Sequence, residues 1–475
     1  MHSTSHTFKS NAREALNNDQ LQDNFRLAGG SFADKRAEAR SRLPEFDDLR
    51  DQAHDIKNHV LAHLDIYLES FEDNVRNAGG HVHWAQTSDE ACSIVREICA
   101  ENNARLVTKG KSMISEEIGL NGFLESQGIE VAETDLGEYI IQIRNESPSH
   151  IIAPAIHLSK NQIRNDFRER HSEFPPDRPL EDAGDFVAEA RAVLRKKFLA
   201  ADVGITGANF LVAETGSTVI VTNEGNGDLT QSLAKTHIVL ASIEKIVPTL
   251  EDVSTFLRVL ARSATGQEIS TYTTFSTGPR RSGDPDGPAA FHVILLDNGR
   301  SKMLGGEFQD MLRCIRCGAC MNHCPVYQAI GGHAYGWVYP GPMGAVLTPS
   351  LIGIDAAGHL PNASTFCGRC EAVCPVRIPL PKMMRHWRER EYHRGKTSSL
   401  NRLALRSWAY LAKRPNLYRR AVNLPIRILH YMGGKSGVIR SFSLFKHWTK
   451  HKDIPAPQKK TFLQLWAEQE SRRKS

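Results

Sequence analysis

The placement of cysteines constrains the fold of this 475-residue chain more than any other feature. Seven of the nine cysteines lie in the runs C-x₂-C-x₂-C-x₃-C-P and C-x₂-C-x₃-C-P. The first run is Cys314, Cys317, Cys320, Cys324 and Pro325, and the second is Cys367, Cys370, Cys374 and Pro375. In ferredoxin-like folds such spacing holds [4Fe–4S] clusters, because a tight loop wraps one cluster while the cysteine before proline ligates the other. The runs therefore predict two [4Fe–4S] clusters and a role in electron transfer.

The same crossing rule assigns the ligands of each predicted cluster. The first cluster takes Cys314, Cys317, Cys320 and Cys374, and the second takes Cys324, Cys367 and Cys370. The second cluster is one thiolate short, because Ser364 stands where a full run would begin. Either the Ser364 oxygen, water or a group from elsewhere completes the second site, or that site holds a three-iron cluster.

Other uses of cysteine fit these runs less well. Four ligands suffice for zinc, so a third cysteine within one short run is surplus. Disulfide frameworks belong to small secreted domains, and the N-terminal sequence MHSTSHTF lacks the form of an export signal. Cys92 and Cys99 lie on the apolar face of a predicted helix, where we expect buried thiols. Because clusters require a reducing compartment, the predicted location is the cytoplasm.

Charge is distributed unevenly along the chain. From Pro381 onward there are 23 Lys and Arg against 5 Asp and Glu, a net charge of +18, whereas the first 380 residues carry 36 basic and 49 acidic residues, a net charge of −13. The basic region holds four of the six tryptophans, Trp387, Trp408, Trp448 and Trp466. It favours an acidic protein partner or neutralisation of the acidic part of the chain, with association at an anionic membrane surface as the alternative. We expect no nucleic-acid partner, because no recognition motif accompanies the charge, and no transmembrane span, because no apolar stretch is long enough.

Length and patterning predict four segments. They are an N-terminal helical segment at 1–65, an α/β domain at 66–300, an α-helical two-cluster ferredoxin-like domain at 301–385 and a basic helical tail at 386–475. Gly29-Gly30 and Pro44 are expected to interrupt the N-terminal helices. The predicted strands of the α/β domain are HVHWA (81–85), ARLVTK (104–109), GIEVAET (128–134), EYIIQI (138–143), HIVLAS (237–242) and FHVILLD (291–297). Their alternation with helical patterns indicates a largely parallel sheet, and the two strands in 209–223, joined at 214–216, indicate that the sheet is mixed.

Two parts of the α/β domain carry residues suited to ligand binding. The stretch 109–112, Lys-Gly-Lys-Ser, lies between a strand and a helix start, where backbone N–H groups and two ammonium groups suit an anion, although the full P-loop pattern is absent. The second candidate is a pair of loops bearing Glu214, Glu224 and Asp228, although ordinary turns with Asp228 as a helix N-cap produce the same pattern. We assign no catalytic residue to either.

The segment between the cysteine runs, 327–354, is rich in glycine, proline and aromatic residues. We predict a tightly folded covering loop in which His333, Tyr335, Trp337 and Tyr339 shield the clusters from water and influence their potentials. Gating of electron entry, or contact with a partner, is the alternative role of these aromatic residues.

Three stretches give the chain a resemblance to the bacterial lactate utilisation protein B family. They are CIRCGACMNHCPVYQAIGGHAYGWVYPGPMGAVLTP, FCGRCEAVCPVRIPLPK and ITGANFLVAETGSTVIVTNEGNGDL, and the resemblance runs through nearly the whole length. It implies a lactate-utilisation α/β domain similar to sugar-phosphate isomerase and coenzyme A transferase folds, a ferredoxin-like part with two [4Fe–4S] clusters and a basic C-terminal region. The family's second run has three cysteines, as here.

The resemblance also implies a function. It predicts an electron-transfer subunit, itself non-catalytic, of a cytoplasmic complex that oxidises L-lactate to pyruvate. The implied partners are a cysteine-rich subunit resembling a heterodisulfide reductase component and a second lactate-utilisation-domain protein. The alternative is an oxidoreductase whose own α/β domain binds the hydroxy acid or another anion through Lys109 and Lys111.

Overall fold

The computed structural model describes residues 3–395, 397–442, 449 and 452–474, apart from the side chains of residues 27–31 and 474. The chain divides into two compact units, Met1–Glu391 and Tyr392–Ser475.

The first unit is built around two β-sheets. Its strands are β1 (His81–Ala85), β2 (Leu106–Gly110), β3 (Glu130–Glu133), β4 (Val203–Thr206), β5 (Phe210–Val212), β6 (Ser217–Thr222), β7 (Thr236–Ser242), β8 (Ile246–Val247), β9 (Tyr272–Ser276) and β10 (Ala290–Leu296). The larger sheet has the order β1-β10-β7-β4-β2-β3, and every neighbouring pair in it is parallel. The predicted parallel α/β domain is therefore confirmed.

Helices cover both faces of the parallel sheet, as the apolar side chains on both faces of its strands require. On one face Ile205, Ile238 and Ile294 pack with the helix that carries Cys92 and Cys99. On the other face Val239 and Val293 pack with the helix Leu64–Asn77. The helices of this part of the chain are Phe8–Leu16, Asp19–Ser41, Phe46–Ala62, Leu64–Asn77, Ser88–Glu101, Met113–Ile118, Leu120–Ser126, Leu136–Ile143, Lys160–Arg170, Ala183–Ala200, Asn226–Ser232 and Leu250–Ala264.

Three local predictions in this region are wrong. Residues 138–143 belong to the helix Leu136–Ile143 rather than to a strand, because the Asp135 side chain accepts hydrogen bonds from the N–H groups of Gly137 and Glu138 and so caps a helix start. The helix Asp19–Ser41 continues through Gly29-Gly30. Asp228 is not an N-cap, because its helix begins at Asn226 after Gly225.

The smaller sheet, in the order β8-β5-β6-β9, contains the mixed pairing. Strands β5 and β6 form the predicted antiparallel hairpin, while β5 pairs with β8 in parallel. At the hairpin turn Gly216 has a φ of +68°, and a Cβ there would lie 2.5 Å from the backbone nitrogen of Val75. Only glycine suits this turn, since both its conformation and its close approach exclude a side chain.

The cysteine-rich part of the first unit consists of short helices around turns. They are Ala319–Asn322, Pro325–Ile330, Gly341–Ile352, Ile354–Ala357, Arg369–Ala372 and Leu380–His393. This part shares one apolar core with the N-terminal helices and the smaller sheet, as Phe46, Phe256, Met311 and Trp387 all belong to it. The cysteine runs are thus embedded in the first unit.

The second unit contains the helices Ser399–Ala412, Pro415–Gly433 and Phe462–Lys474 and a short antiparallel pair, β11 (Val438–Ile439) with β12 (Ile454–Pro455). Trp408 and Trp466 are exposed, whereas Trp448 lies outside the described residues. In the described part of the chain, every helix is too short or too polar to cross a bilayer.

Candidate iron–sulfur site and adjoining cleft

The two cysteine runs have the same local conformation. Arg316 and Gly318 of the first run have φ of +60° and +74°, and Phe366 and Gly368 of the second have +56° and +78°. In each run a one-turn helix follows, Ala319–Asn322 or Arg369–Ala372. The two loops therefore turn in the same way at equivalent positions, and a tight loop of this kind can present several thiolates to one cluster.

Ser364 occupies the position equivalent to Cys314. Its backbone has φ −68° and ψ 135°, close to the −63° and 120° of Cys314. The Ser364 Oγ accepts a hydrogen bond from the N–H of Phe366 at 3.1 Å. Ser364 also lines a recess together with Cys324, Cys367 and Cys370, so the residue borders the second predicted site.

The thiols form two electrostatically coupled groups. Burial raises the pKa of Cys320, and the charges of Cys317, Cys314, Cys370 and Cys374 raise it further. Burial raises the pKa of Cys370 to about 12, with further contributions from Cys324 and Cys367. The structure thus brings Cys374 to the thiols of the first run and Cys324 to those of the second, and Cys370 also influences Cys320 across the two groups.

The donor set suits [4Fe–4S] clusters. Crowded, buried thiols hold their protons until a metal compensates the negative charge, and metal binding releases those protons. The N–H groups of Tyr327 and Ile378 donate to the sulfurs of Cys324 and Cys374 at 3.5 and 3.4 Å. Such N–H···S bonds tune cluster potentials.

The N-terminal helices hold the second run in place. The buried guanidinium of Arg50 donates to the carbonyl oxygens of Cys374 and Ala372. Arg36 donates to the carbonyl of Val373 at 3.0 Å. Two arginines from preceding helices therefore fix the backbone that carries Cys370 and Cys374.

The segment between the runs is folded closely over the site. Tyr335, Trp337 and Tyr339 are buried, whereas His333 is exposed. The segment is partly helical, because Gly341–Ile352 forms a helix, so the prediction of a loop throughout is wrong. The burial of three aromatic side chains is consistent with shielding of the thiols from water.

The other two cysteines are core residues, as predicted. Cys92 and Cys99 are buried in the helix Ser88–Glu101. Burial raises their pKa values to about 11 and about 12. They pack with the parallel sheet.

A large cleft lies at the carboxyl end of the parallel sheet and extends to the first cysteine run. Its volume is about 1090 Å³. Residues that directly follow β2, β3 and β4 line it, namely Lys111, Thr134 and Gly207, together with Lys245 beyond β7. Its lining also includes Arg316, Cys317 and Tyr339. Sequence reasoning missed this cleft, because strand ends distant in sequence form it.

The predicted anion site at 109–112 is not supported. The Nζ of Lys109 is buried and lies 2.7 Å from both Glu116 and Glu133. Lys111 pairs with Asp135 and, at 3.0 Å, with Glu224. Both ammonium groups are therefore already neutralised by carboxylates.

The second predicted acidic site is dispersed. Of its three acids, Glu224 lines the cleft. Glu214 accepts from the N–H of Leu250 at a helix start, and Asp228 accepts from Thr274.

A buried charge network adjoins the cleft at Arg316. Arg300 makes two hydrogen bonds to Glu117, at 2.9 and 2.6 Å, and lies 3.1 Å from Glu244. Glu244 also contacts Arg316 at 3.3 Å, and the Arg316 guanidinium lies 4.6 Å from the ring centroid of Tyr339. The neighbouring guanidinium groups lower the pKa of Glu244 to about 2 despite its burial. Arg316 thus links the first cysteine run to the α/β domain.

Fold and site together define an iron–sulfur protein in which a parallel α/β domain is joined to a dicluster region. Three family models match the chain. The family described as "LUD domain" matches residues 68–296, the family "4Fe-4S dicluster domain" matches residues 310–378, and the family "Lactate utilisation protein B, C-terminal" matches residues 369–471. The chain is 43% identical over 468 residues to Lactate utilization protein B of Bacillus velezensis, covering 98% of each chain, and 42% identical over 466 residues to that of Bacillus subtilis, covering 98% of this chain and 96% of the relative. A solved DUF162-family protein from Deinococcus radiodurans aligns with a TM-score of 0.28 at 15% identity, covering 49% of this chain and 98% of that protein.

The chain belongs to the lactate utilisation protein B family. The resemblance inferred from the sequence is confirmed, and the prediction of two [4Fe–4S] clusters is supported by the dicluster family.

Proposed function

We propose that this protein is the iron–sulfur electron-transfer subunit of a complex that oxidises L-lactate to pyruvate. The observation that carries the proposal is that the two sets of thiols are adjacent. The charge of Cys370, in the second set, contributes to the raised pKa of Cys320 in the first. Two neighbouring clusters suit one-electron transfer in sequence. The names of the relatives support lactate as the substrate of the pathway in which the protein acts.

We assign the ligands by the grouping of the thiols. Cys314, Cys317, Cys320 and Cys374 hold the first cluster, and Cys324, Cys367 and Cys370 hold the second, with Ser364 beside its open position. Each cluster, when bound, supplies reversible one-electron oxidation and reduction. The chain orients the thiolates by its left-handed turns, donates N–H groups to sulfur and excludes water with its buried aromatic residues.

Partners and location follow from the same proposal. We propose a cytoplasmic complex with a cysteine-rich heterodisulfide-reductase-like subunit and a second lactate-utilisation-domain protein. We propose that this chain is organised as four segments, 1–65, 66–300, 301–385 and 386–475. The last of these, the basic tail, is available to bind an acidic partner. Association of that tail with an anionic membrane surface is the alternative.

The test is anaerobic isolation of the native complex, followed by EPR spectroscopy before and after addition of L-lactate. The purified protein should contain about eight iron atoms and about eight acid-labile sulfides. L-lactate should reduce the clusters, whereas D-lactate in a parallel sample controls for non-specific reduction. Clusters that stay oxidised in a complex that dithionite can reduce would contradict the lactate assignment.

A second candidate function is favoured by the cleft. Its lining reaches both the strand ends of the α/β domain and Cys317, so this domain could itself bind the hydroxy acid. In that case the protein alone, without partner subunits, should bind L-lactate and accept electrons from it.

A further inference from the structure

Three side chains that can ligate a metal ion converge outside the two groups of thiols. Glu146, His157 and His333 each offer one ligand atom, and these three atoms lie within 4.8 Å of one another. Glu146 and His157 lie between the helices Leu136–Ile143 and Lys160–Arg170, whereas His333 belongs to the segment between the cysteine runs. The cluster therefore joins two parts of the first unit that are distant in sequence.

The Glu146 carboxylate is fixed through one oxygen and directed to the cluster with the other. Its Oε1 accepts a hydrogen bond from Arg144 at 2.9 Å, and its Oε2 lies 2.8 Å from Nε2 of His157. The neighbouring guanidinium favours the ionised carboxylate, and Arg144 is itself held by two hydrogen bonds to Asp166, at 2.8 and 2.7 Å. Glu146 can thus offer a negatively charged oxygen to a cation without losing its contact with Arg144.

The His157 ring is buried and has little to hold it besides Glu146. Its side chain is 9% exposed. The Nδ1 atom is buried without a hydrogen-bond partner in the part of the chain that the structure describes, which is uncommon for a buried polar atom. His157 and Glu146 can therefore bind one ion together, since the bond between them is the one that the ion replaces.

The His333 ring completes the donor set. Its Nε2 lies 2.7 Å from the carbonyl oxygen of Ser147, and because a carbonyl only accepts, Nε2 carries the proton and Nδ1 carries a lone pair. Histidines that ligate metals usually donate their other N–H to a carbonyl or carboxylate in this way, which fixes the orientation of the ring. The ring centroids of His333 and His157 are 4.4 Å apart. His333 is exposed, so water can reach an ion bound at this position.

We infer that Glu146, His157 and His333 form a binding site for one divalent metal ion of the zinc type. Two imidazoles and one carboxylate are a donor set that zinc takes, with water in its fourth position. Mg²⁺ and Ca²⁺ suit the site less well, because both prefer ligand sets made of oxygen.

The bound ion strengthens a contact that the fold already makes. The hydroxyl of Tyr327 donates to the carbonyl oxygen of Ser149 at 2.6 Å, and Nε2 of His150 lies 3.0 Å from Oδ1 of Asn322. The ion therefore ties the segment 146–157 to the polypeptide that follows the first cysteine run. No cysteine belongs to this site, so the inference does not depend on the proposed electron-transfer function.

The test is titration of Zn²⁺ into the full-length, cluster-loaded protein under anaerobic conditions, in competition with a zinc-binding dye. One Zn²⁺ ion per chain should bind. His333→Gln and Glu146→Gln should each weaken binding at least about tenfold, because loss of an outer-shell partner alone costs about that much. His6→Gln is the matched control, since it changes an exposed histidine outside the cluster, and it should bind Zn²⁺ as the wild type does.

X-ray absorption at the zinc edge then identifies the ligands. Nitrogen and oxygen at about 2.0–2.2 Å, without sulfur, support the inference when the affinity also falls in His333→Gln and Glu146→Gln. Sulfur at about 2.3 Å would place the zinc on cysteines and overturn it. Absence of a tightly bound ion, or wild-type affinity in both variants, would overturn it as well.

Discussion

At the scale of single residues, the second cluster site depends on what Ser364 contributes. Its backbone conformation is close to that of Cys314, and the residue lines the same recess as Cys324, Cys367 and Cys370. A thiolate is a stronger ligand for iron–sulfur clusters than a hydroxyl, since these clusters are held by cysteine thiolates. The serine position is therefore where the two otherwise similar runs differ chemically.

Ser364→Cys should complete the second site with a fourth thiolate. We expect a changed midpoint potential and EPR spectrum of one cluster, with the other cluster unaltered, because ligand identity sets cluster potential. Redox titration of the anaerobic protein followed by EPR measures both. Ser364→Ala is the matched control that removes the oxygen without adding a ligand. If both variants retain the wild-type spectrum and potential, the remaining iron is ligated elsewhere.

The ion pair of Glu117 with Arg300 is the most deeply buried charge contact near the cleft. Both side chains are fully buried. Removal of one partner from such a pair leaves an uncompensated charge and costs about 3–5 kcal/mol. We therefore expect Glu117→Gln to lower the free energy of unfolding by that amount, measured as a reduced midpoint in denaturant.

The control for this substitution is Glu130→Gln. Glu130 pairs with Lys197 at the surface, where 56% and 36% of the two side chains are exposed. An exposed pair contributes less than about 1 kcal/mol. Equal destabilisation by the two substitutions would show that burial of the Glu117 pair adds nothing.

At the scale of elements, the sequence predicted strands well where alternation with helices was regular. The strand prediction at 138–143 is wrong because a short apolar run is compatible with either a strand or a helix. The Asp135 carboxylate caps the start of a helix at this position and so favours the helix. The proximity of Cys374 to Cys317 agrees with the cysteine spacing, whereas the assignment of Cys374 as a ligand of the first cluster stays a prediction. The cleft could not be predicted from the sequence. Lys111 and Lys245 line the same cleft only because β7, β4 and β2 are neighbours in the sheet.

Strand β7 also contains a buried histidine that makes stability depend on pH. Burial, and then the nearby His292, lower the pKa of His237 to about 3, and its ring bonds to Thr206 Oγ1 at 2.8 Å. The folded pKa is below the unfolded value of about 6.5. The neutral ring therefore stabilises the fold above pH 6.5, and this contribution is lost as the pH falls from about 6.5 toward 3.

We expect the apparent melting temperature to fall between pH 7 and pH 5, and to fall less in His237→Gln. His63→Gln, which changes an exposed histidine, is the control and should keep the wild-type pH dependence. Differential scanning fluorimetry under anaerobic conditions measures the slopes. Identical slopes in all three proteins would place the pH dependence elsewhere.

At the scale of the whole molecule, the basic C-terminal unit is chemically distinct from the acidic remainder. Its helices Ser399–Ala412 and Pro415–Gly433 expose Leu403, Trp408 and Leu424 as well as arginines. Exposed apolar side chains among like charges are typical of a docking surface. A complementary acidic partner would be attracted by long-range electrostatics and then held by apolar contact.

Reversal of charge on this surface should weaken assembly without disturbing the clusters. We expect the double substitution Arg419→Glu and Arg420→Glu, at exposed positions of Pro415–Gly433, to reduce co-purification of partner subunits severalfold. Iron content should stay at the wild-type value, because the cysteines lie in the other unit. Arg280→Glu with Arg281→Glu is the matched control, an exposed arginine pair in the loop before β10. Sedimentation with anionic vesicles distinguishes a protein partner from a membrane. Loss of vesicle binding with intact partner binding would assign the surface to a membrane. Equal retention of partners and vesicles by both double variants would show that the charge of this helix has no docking role.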